Sequence, residues 1–310
     1  MQLFVNSKLN DSLKSALRQQ LPADVTATFR DELPTDKQQA AFQAADMVLG
    51  NPPAAWFAAP LPTLKFWQLD SAGFDGYKQA QLTASVANMG DYFAWPCAET
   101  MVAGILAMYR LIPELAVLQN KGQWIGAPLR DRMGLLRDQS VVILGTGTIG
   151  QAVRQMLMGF NCPIKMLART DPKADLHSTD DLIAVLPETD IVINCLPGTA
   201  VGFVSAQVVN AMKPGSIYAN VGRGSTTDEP ALISALQSGR LGGAVLDVTA
   251  TEPLPADSPL WAMPNVLLTQ HTGGGQPDED AGKVTKFLRN LPRFLAGEEL
   301  ENAVELGRGY

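Results

Sequence analysis

Gly145-Thr146-Gly147-Thr148-Ile149-Gly150 directly follows Ser140-Val141-Val142-Ile143-Leu144. The β-branched apolar run reads as a short strand buried on both faces. The Gly-x-Gly-x-x-Gly stretch reads as a tight turn, and 151–160, with one apolar face, as the helix after it. A dinucleotide pyrophosphate rests in such a strand–turn–helix. The first glycine permits the turn, the second lets a phosphate reach the backbone, and the third lets helix and strand pack closely. Free N–H groups and the positive dipole end of the helix face the phosphates. Glycine-rich turns are common, so the strand before this one carries much of the inference. Almost half of the chain precedes the turn.

That first part alternates strand and helix signals. Strands are expected at 3–5, 25–29, 47–49 and 65–69. One helix is capped by Asp11 and carries Leu13, Ala16 and Leu17 on one face; another covers 37–45. This alternation implies a parallel sheet covered on both sides. Residues 98–120 read as a long helix, interrupted near Pro113 and apolar on more than one side. It suits a buried core helix or one shared with a subunit interface. From Ser140 a second series has strands at 141–144, 164–168, 191–195, 216–220, 243–247 and 266–269, with helices at 180–186, 205–211 and 229–238. A last helix, 279–297, places Val284, Phe287, Leu288 and Leu291 on one side. It follows the sixth strand and is free to rejoin the first part. The expected architecture is α/β: a doubly wound dinucleotide domain at 98–274, inserted into a flavodoxin-like domain formed by 1–97 and 275–310.

The bulk numbers bound the function. The 310 residues suffice for two domains, and 46% hydrophobic and 18% charged residues are ordinary for a globular protein. A net charge of −7 gives no nucleic-acid footprint. Residues 101–118 contain Arg110, Pro113 and Glu114, which disqualify them as a membrane span. The N-terminus lacks the form of a signal peptide. Cys97, Cys162 and Cys195 have no metal-ligand spacing and read as small buried apolar residues in a reducing compartment. A cytoplasmic location follows as the expectation.

Three downstream segments each place a reactive side chain just beyond an expected strand, where ligands of open α/β sheets bind. Arg223 lies in Asn220-Val-Gly-Arg-Gly-Ser225, Glu252 in Asp247-Val-Thr-Ala-Thr-Glu-Pro253, and His271 in Leu268-Thr-Gln-His-Thr-Gly-Gly274. Taken singly, each has an ordinary reading: a turn arginine, a solvated carboxylate, a structural histidine. Taken together and in this order, they read as a site. The other histidine, His177, lies in a polar stretch and reads as a surface residue. No second His or Cys is placed to help His271 hold a metal.

The glycine turn, Gly-Arg-Gly, Asp-Val-x-x-x-Glu-Pro and a late His followed by glycines resemble, in that order, the D-isomer-specific 2-hydroxyacid dehydrogenase family. The resemblance covers the whole chain, split domain included. It implies that Arg223 binds the carboxylate and keto oxygen of a 2-oxo acid, where its paired donors stabilise developing charge. It implies that His271 exchanges the proton while hydride passes to or from a nicotinamide. Glu252 would favour and orient the protonated imidazole. The loop Asp70-Ser-Ala-Gly-Phe-Asp75 resembles the carboxylate-binding loop, with the amides of Ala72 and Gly73 as donors; an ordinary turn serves Gly73 equally well. Trp56 reads as a pocket wall or, equally, as core. The implied dinucleotide contacts are Gly145, Gly147, Thr148, Ile149 and Gly150 in the turn, then Pro197, Thr199, Val221, Asp247 and Gly273. The loop 196–202 is shorter than the family form, and the glycine-rich 271–277 implies a loose hinge beside His271.

An acid about 20 residues past the glycine turn would select NAD through the ribose 2′-OH. Here 169 − 150 = 19 reaches Arg169, followed by Thr170, with Asp171 slightly later and Lys173 beyond. Arg169 can pair with a 2′-phosphate and Thr170 can donate to it; the ordinary alternative is a surface arginine. NADP(H) is therefore the expected cofactor, with NAD(H) as the alternative. The whole reads as a reductase of a small 2-oxo acid, most like the glyoxylate/hydroxypyruvate reductase branch, acting as a homodimer. A phosphoglycerate dehydrogenase-like enzyme is the nearest enzymatic alternative. A non-catalytic dinucleotide sensor or corepressor is the alternative of a different class.

Overall fold

A computed structural model describes residues 1–309. The chain divides into two compact units: Met1–Phe93 with the C-terminal segment from Gln276, and Ala94–Gly275.

The first unit carries five parallel strands, β1 (Gln2–Val5), β2 (Thr26–Phe29), β3 (Met47–Leu49), β4 (Phe66–Gln68) and β5 (Ser85–Ala87), in the order β2-β1-β3-β4-β5. This is the flavodoxin-like order. The strand period of two sorts the core. Leu3, Val5, Met47, Leu49, Phe66 and Ala87 face one cluster, while Phe4, Val48, Trp67 and Val86 face the other. Helix α1 (Asp11–Gln20) covers the first face through Leu17. Its cap is Asn10, which accepts from the Leu13 amide at 2.9 Å, and not Asp11, which lies inside the first turn. Helix α2 (Thr35–Gln43) places Phe42 in the second cluster. The C-terminal helix, Glu279–Ala296, returns to this unit: Val284, Phe287 and Leu291 are buried beside Leu3 and Leu49. Strand β5 had no counterpart among the sequence expectations. At three residues it is too short to show a period, although Val86 and Ala87 are buried.

The second unit opens with α3 (Ala94–Tyr109) and α4 (Ile112–Asn120). The interruption expected near Pro113 in the helix at 98–120 is a full break between two helices. Leu111 adopts left-handed backbone (φ 56°) ahead of Pro113, which lacks the N–H that would continue the ladder, and the axes differ by 69°. Among the described residues no single helix is long and apolar enough to cross a membrane. Helix α3 buries Met101, Gly104 and Ile105, whereas α4 leaves Ile112 and Val117 exposed, with Trp124 just beyond it.

Six parallel strands follow: β6 (Val141–Leu144), β7 (Ile164–Leu167), β8 (Ile191–Asn194), β9 (Ile217–Asn220), β10 (Gly243–Leu246) and β11 (Val266–Leu268). Their order is β11-β10-β9-β8-β6-β7. A parallel bridge from Leu167 to Leu176 extends the sheet past β7 by one residue pair. Counting that bridge as a vestigial third strand, the order is the 3-2-1-4-5-6 of dinucleotide folds with one strand added. The reversal point lies between β6 and β8, so the crevice for a ligand opens where the glycine turn leaves β6. The intervening helices are α5 (Thr148–Met158), α6 (Thr179–Val185), α7 (Ala206–Ala211) and α8 (Glu229–Gln237). The C-terminal helix is therefore α9.

Candidate active site

The glycine turn has the shape a pyrophosphate needs. Gly145 adopts φ 105°, and a side chain there would press on the Cys195 carbonyl after β8. A Cβ on Gly150 would collide with the Gly145 carbonyl. Around Gly147, by contrast, space is open. Gly147 starts α5 with no side-chain cap, so Thr148 and Ile149 begin a helix whose first amides await an acceptor. These features fit a dinucleotide. At the end of β7, Arg169 and Thr170 are exposed. The nearby Asp171 carboxyl is held below the usual range by the Lys173 amide (2.9 Å) and the Thr146 hydroxyl. Pro197 and Thr199 lie in the turn after β8, where the Pro197 carbonyl accepts from Ala200 at 3.0 Å. Val221 is buried and donates its amide to Asn194. His177 is exposed, with Nδ1 2.9 Å from the Ala168 carbonyl.

Arg223 sits on a turn built from underneath. The Arg223 carbonyl accepts from the Thr226 hydroxyl at 2.6 Å. Asn194 donates from Nδ2 to the Thr226 and Tyr218 hydroxyls at 2.7 and 2.9 Å, and the Tyr218 and Thr227 hydroxyls are 2.6 Å apart. Asn220 accepts the Gly222 amide at 3.0 Å. This buried network is hydrogen-bonded throughout, as buried polar groups must be. Both flanking glycines are required by close approach: a Cβ would strike the Leu196 carbonyl from Gly222 and the Thr249 carbonyl from Gly224.

His271 follows β11 in a turn governed by Asp247. Gln270 and His271 both have φ 55°, an uncommon conformation for side-chain-bearing residues. The buried Asp247 carboxylate takes the Thr269 hydroxyl at 2.6 Å and the amides of Thr272 and Gly273 at 3.0 Å each. Its carbonyl takes the His271 amide at 2.6 Å. The loose hinge expected from the glycines is therefore corrected at its start: Gly273 is buried and tied to Asp247.

The His271 ring reaches Glu252, with Nδ1 2.6 Å from Oε2. The other Glu252 oxygen accepts the Thr249 amide at 3.1 Å. Both groups retain solvent contact, with side-chain exposures of 52% for His271 and 36% for Glu252. They border a cavity of about 400 Å³ whose remaining walls include Leu246, Leu254, Trp261 and Leu268. With Nδ1 directed to the carboxylate, Nε2 is the ring nitrogen that Glu252 does not hold. Cys97 lies in the field of these groups. Burial pushes its thiol up to about 12, with Asp247 acting the same way and Arg223 opposing.

Residues 102–273, more than half of the chain, match the model of the NAD-binding domain of D-isomer-specific 2-hydroxyacid dehydrogenases. The chain belongs to this family. The dehydrogenase is an oxidoreductase with two parallel-sheet α/β domains. It is 34% identical to glyoxylate/hydroxypyruvate reductase B of Escherichia fergusonii, with 96% of each chain covered. A D-isomer-specific 2-hydroxyacid dehydrogenase family protein of Aeromonas salmonicida shares its fold with a TM-score of 0.84 and 27% identity, over 98% of this chain and 99% of that one. A member from Xanthobacter autotrophicus, solved with NADPH and MES, matches with a TM-score of 0.79 and 28% identity over 99% of both chains.

In the first unit of the dehydrogenase, the loop after β4 is braced through its carbonyls. The Asn88 side chain donates to the Ala72 carbonyl at 2.6 Å, and the Ser71 hydroxyl donates to the Gly73 carbonyl at 2.6 Å. Among the described residues no protein acceptor takes the Ala72 or Gly73 amide. Asp70 accepts from Ser7 at 2.7 Å, and burial raises its carboxyl above the usual range. Trp56 packs against Phe4 and Phe42, with the Arg30 guanidinium over its ring. Trp56 is half-buried against this cluster. Among the described residues no group of three or more His, Cys, Asp or Glu could hold a metal ion.

Proposed function

We propose that the dehydrogenase reduces a small 2-oxo acid to the D-2-hydroxy acid with NADPH, His271 donating the proton. The observation that carries this reading is the 2.6 Å contact between His271 Nδ1 and Glu252 Oε2, which commits one ring nitrogen to the carboxylate and leaves Nε2 to act. When bound, the reduced nicotinamide supplies hydride to the carbonyl carbon. His271 passes its Nε2 proton to the carbonyl oxygen and is left neutral; in the reverse direction it takes the proton back. Arg223 offsets charge building on that oxygen and orients the substrate carboxylate. The amides of Ala72 and Gly73 are proposed as substrate-binding donors.

The cofactor preference rests on Arg169 and Thr170, supported by Lys173, at the end of β7. Asp171 is occupied by the Lys173 amide and Thr146. Thr148, Ile149 and the glycines Gly145, Gly147 and Gly150 are assigned to the pyrophosphate. Pro197, Thr199, Val221, Asp247 and Gly273 complete the proposed cofactor contacts. The substrate class takes support from the glyoxylate/hydroxypyruvate reductase name of the Escherichia fergusonii relative. A homodimer covering the exposed α4 face, with Ile112 and Val117, completes the proposal. The test is NADPH oxidation with glyoxylate, hydroxypyruvate and bulkier 2-oxo acids. Preferred turnover of the two small substrates supports the reading, and preference for a bulkier acid refutes the substrate assignment.

A further inference from the structure

The loop bearing Glu252 is fixed by one peptide unit, Thr249–Ala250. Its carbonyl lies against Gly224, where any Cβ would collide with it. Its N–H donates to Glu229 Oε2 at 2.8 Å, 21 residues away in sequence. The preceding amide, that of Thr249, donates to Glu252 Oε1 at 3.1 Å. Within the loop, the Thr249 hydroxyl donates to the Thr251 carbonyl at 2.9 Å. Successive amides of a short loop thus take two different carboxylates, one facing His271 and one on the first residue of α8.

The ordinary role of Glu229 is to place negative charge at a helix start, which the α8 dipole favours. That role needs no partner outside the helix, because Asp228 already caps α8 by accepting from the Ala231 amide at 3.1 Å. The bond to Ala250 therefore points to a second task. We infer that Glu229 is a positioning residue for proton transfer. It holds the Thr249–Ala250 peptide against the Arg223 turn, and this peptide sets where Glu252 meets the His271 ring. The inference rests on the assignment of His271 and Glu252 above.

The experiment compares Glu229→Ala, Glu229→Gln, Glu252→Gln and the double variant Glu229→Ala/Glu252→Gln in the whole enzyme, with NADPH and glyoxylate. Glu229→Ala should lower kcat roughly tenfold to a hundredfold, the scale of a small displacement in a reacting group. The loss should fall on kcat, with KM for glyoxylate and NADPH affinity little changed. Glu229→Gln keeps an oxygen for the Ala250 amide and should restore most of the loss. The double variant should be no slower than Glu252→Gln alone, because both act through one group. Multiplied losses in the double variant, or equal losses in the Ala and Gln variants, would overturn the inference. So would a Glu229→Ala enzyme with the parent's kcat. If Glu252→Gln itself leaves kcat unchanged, the assignment of the His271–Glu252 pair fails instead.

Discussion

His271 Nδ1 and Glu252 Oε2 stand 2.6 Å apart, and both belong to the unit that carries the glycine turn. The pair is built from two loops after adjacent parallel strands, β10 and β11. Replacing Glu252 by Gln keeps the shape but removes the carboxylate that holds the His271 ring. Reduction should slow by about tenfold to a hundredfold, a part of what a general acid contributes. The loss should fall on kcat and leave NADPH affinity unchanged, as read from steady-state rates and binding. An unchanged kcat would deny Glu252 its role.

Asp247 organises the strained turn at Gln270 and His271. Asp247→Ala removes an acceptor shared by three donors and leaves two backbone amides unpaired. Strained residues of this kind cost about 1–3 kcal/mol each and persist only while their surroundings hold them. The variant should lose at least tenfold in kcat and unfold at lower temperature. Full activity with a parent-like melting curve would show that the turn holds itself.

In the proposed function, Arg169 governs the choice of dinucleotide. Arg169→Ala should raise KM for NADPH by about tenfold, since charge-assisted hydrogen bonds contribute ~1.5–3 kcal/mol, while KM for NADH changes little. Steady-state kinetics with both cofactors reads this directly. A parent enzyme at least as efficient with NADH would remove the basis of the preference.

Asp70 gives a pH signature in stability. Burial raises its folded-state pKa above the unfolded value, so the folded chain holds the proton more tightly. Stability therefore falls as pH rises from the ordinary carboxylate range through the raised folded value, and it stays lower above that. Asp70→Asn still accepts from Ser7 and carries no charge. It should raise Tm at neutral pH, with the gain shrinking toward pH 4. A gain that is the same at both ends would exclude this titration as its source.

Much of this was legible in the sequence. The strand 141–144 and residues 191–193 of the next but one are uninterrupted buried apolar runs, and the order of Arg223, Glu252 and His271 marked the candidate site. Other parts leave no local trace. Strand β5 is three residues long, and the vestigial third strand is a single bridge at Leu176. Asn194, Tyr218 and Thr226 look like unrelated polar residues until the fold stacks them under the Arg223 turn. Asp247 read as a cofactor contact, yet its carboxylate ties down the His271 turn. Glu229 was invisible because its partner is a backbone amide, which every residue but proline offers. Trp56 is ambiguous in sequence because an aromatic near a loop suits a pocket or a core; in the fold it is half-buried against Phe4 and Phe42.

The most direct test is NADPH oxidation by the parent enzyme and by His271→Ala with glyoxylate or hydroxypyruvate, alongside NADPH binding. The account predicts turnover by the parent, near-complete loss in the variant, and equal NADPH affinity in both. Unchanged turnover by His271→Ala would contradict it.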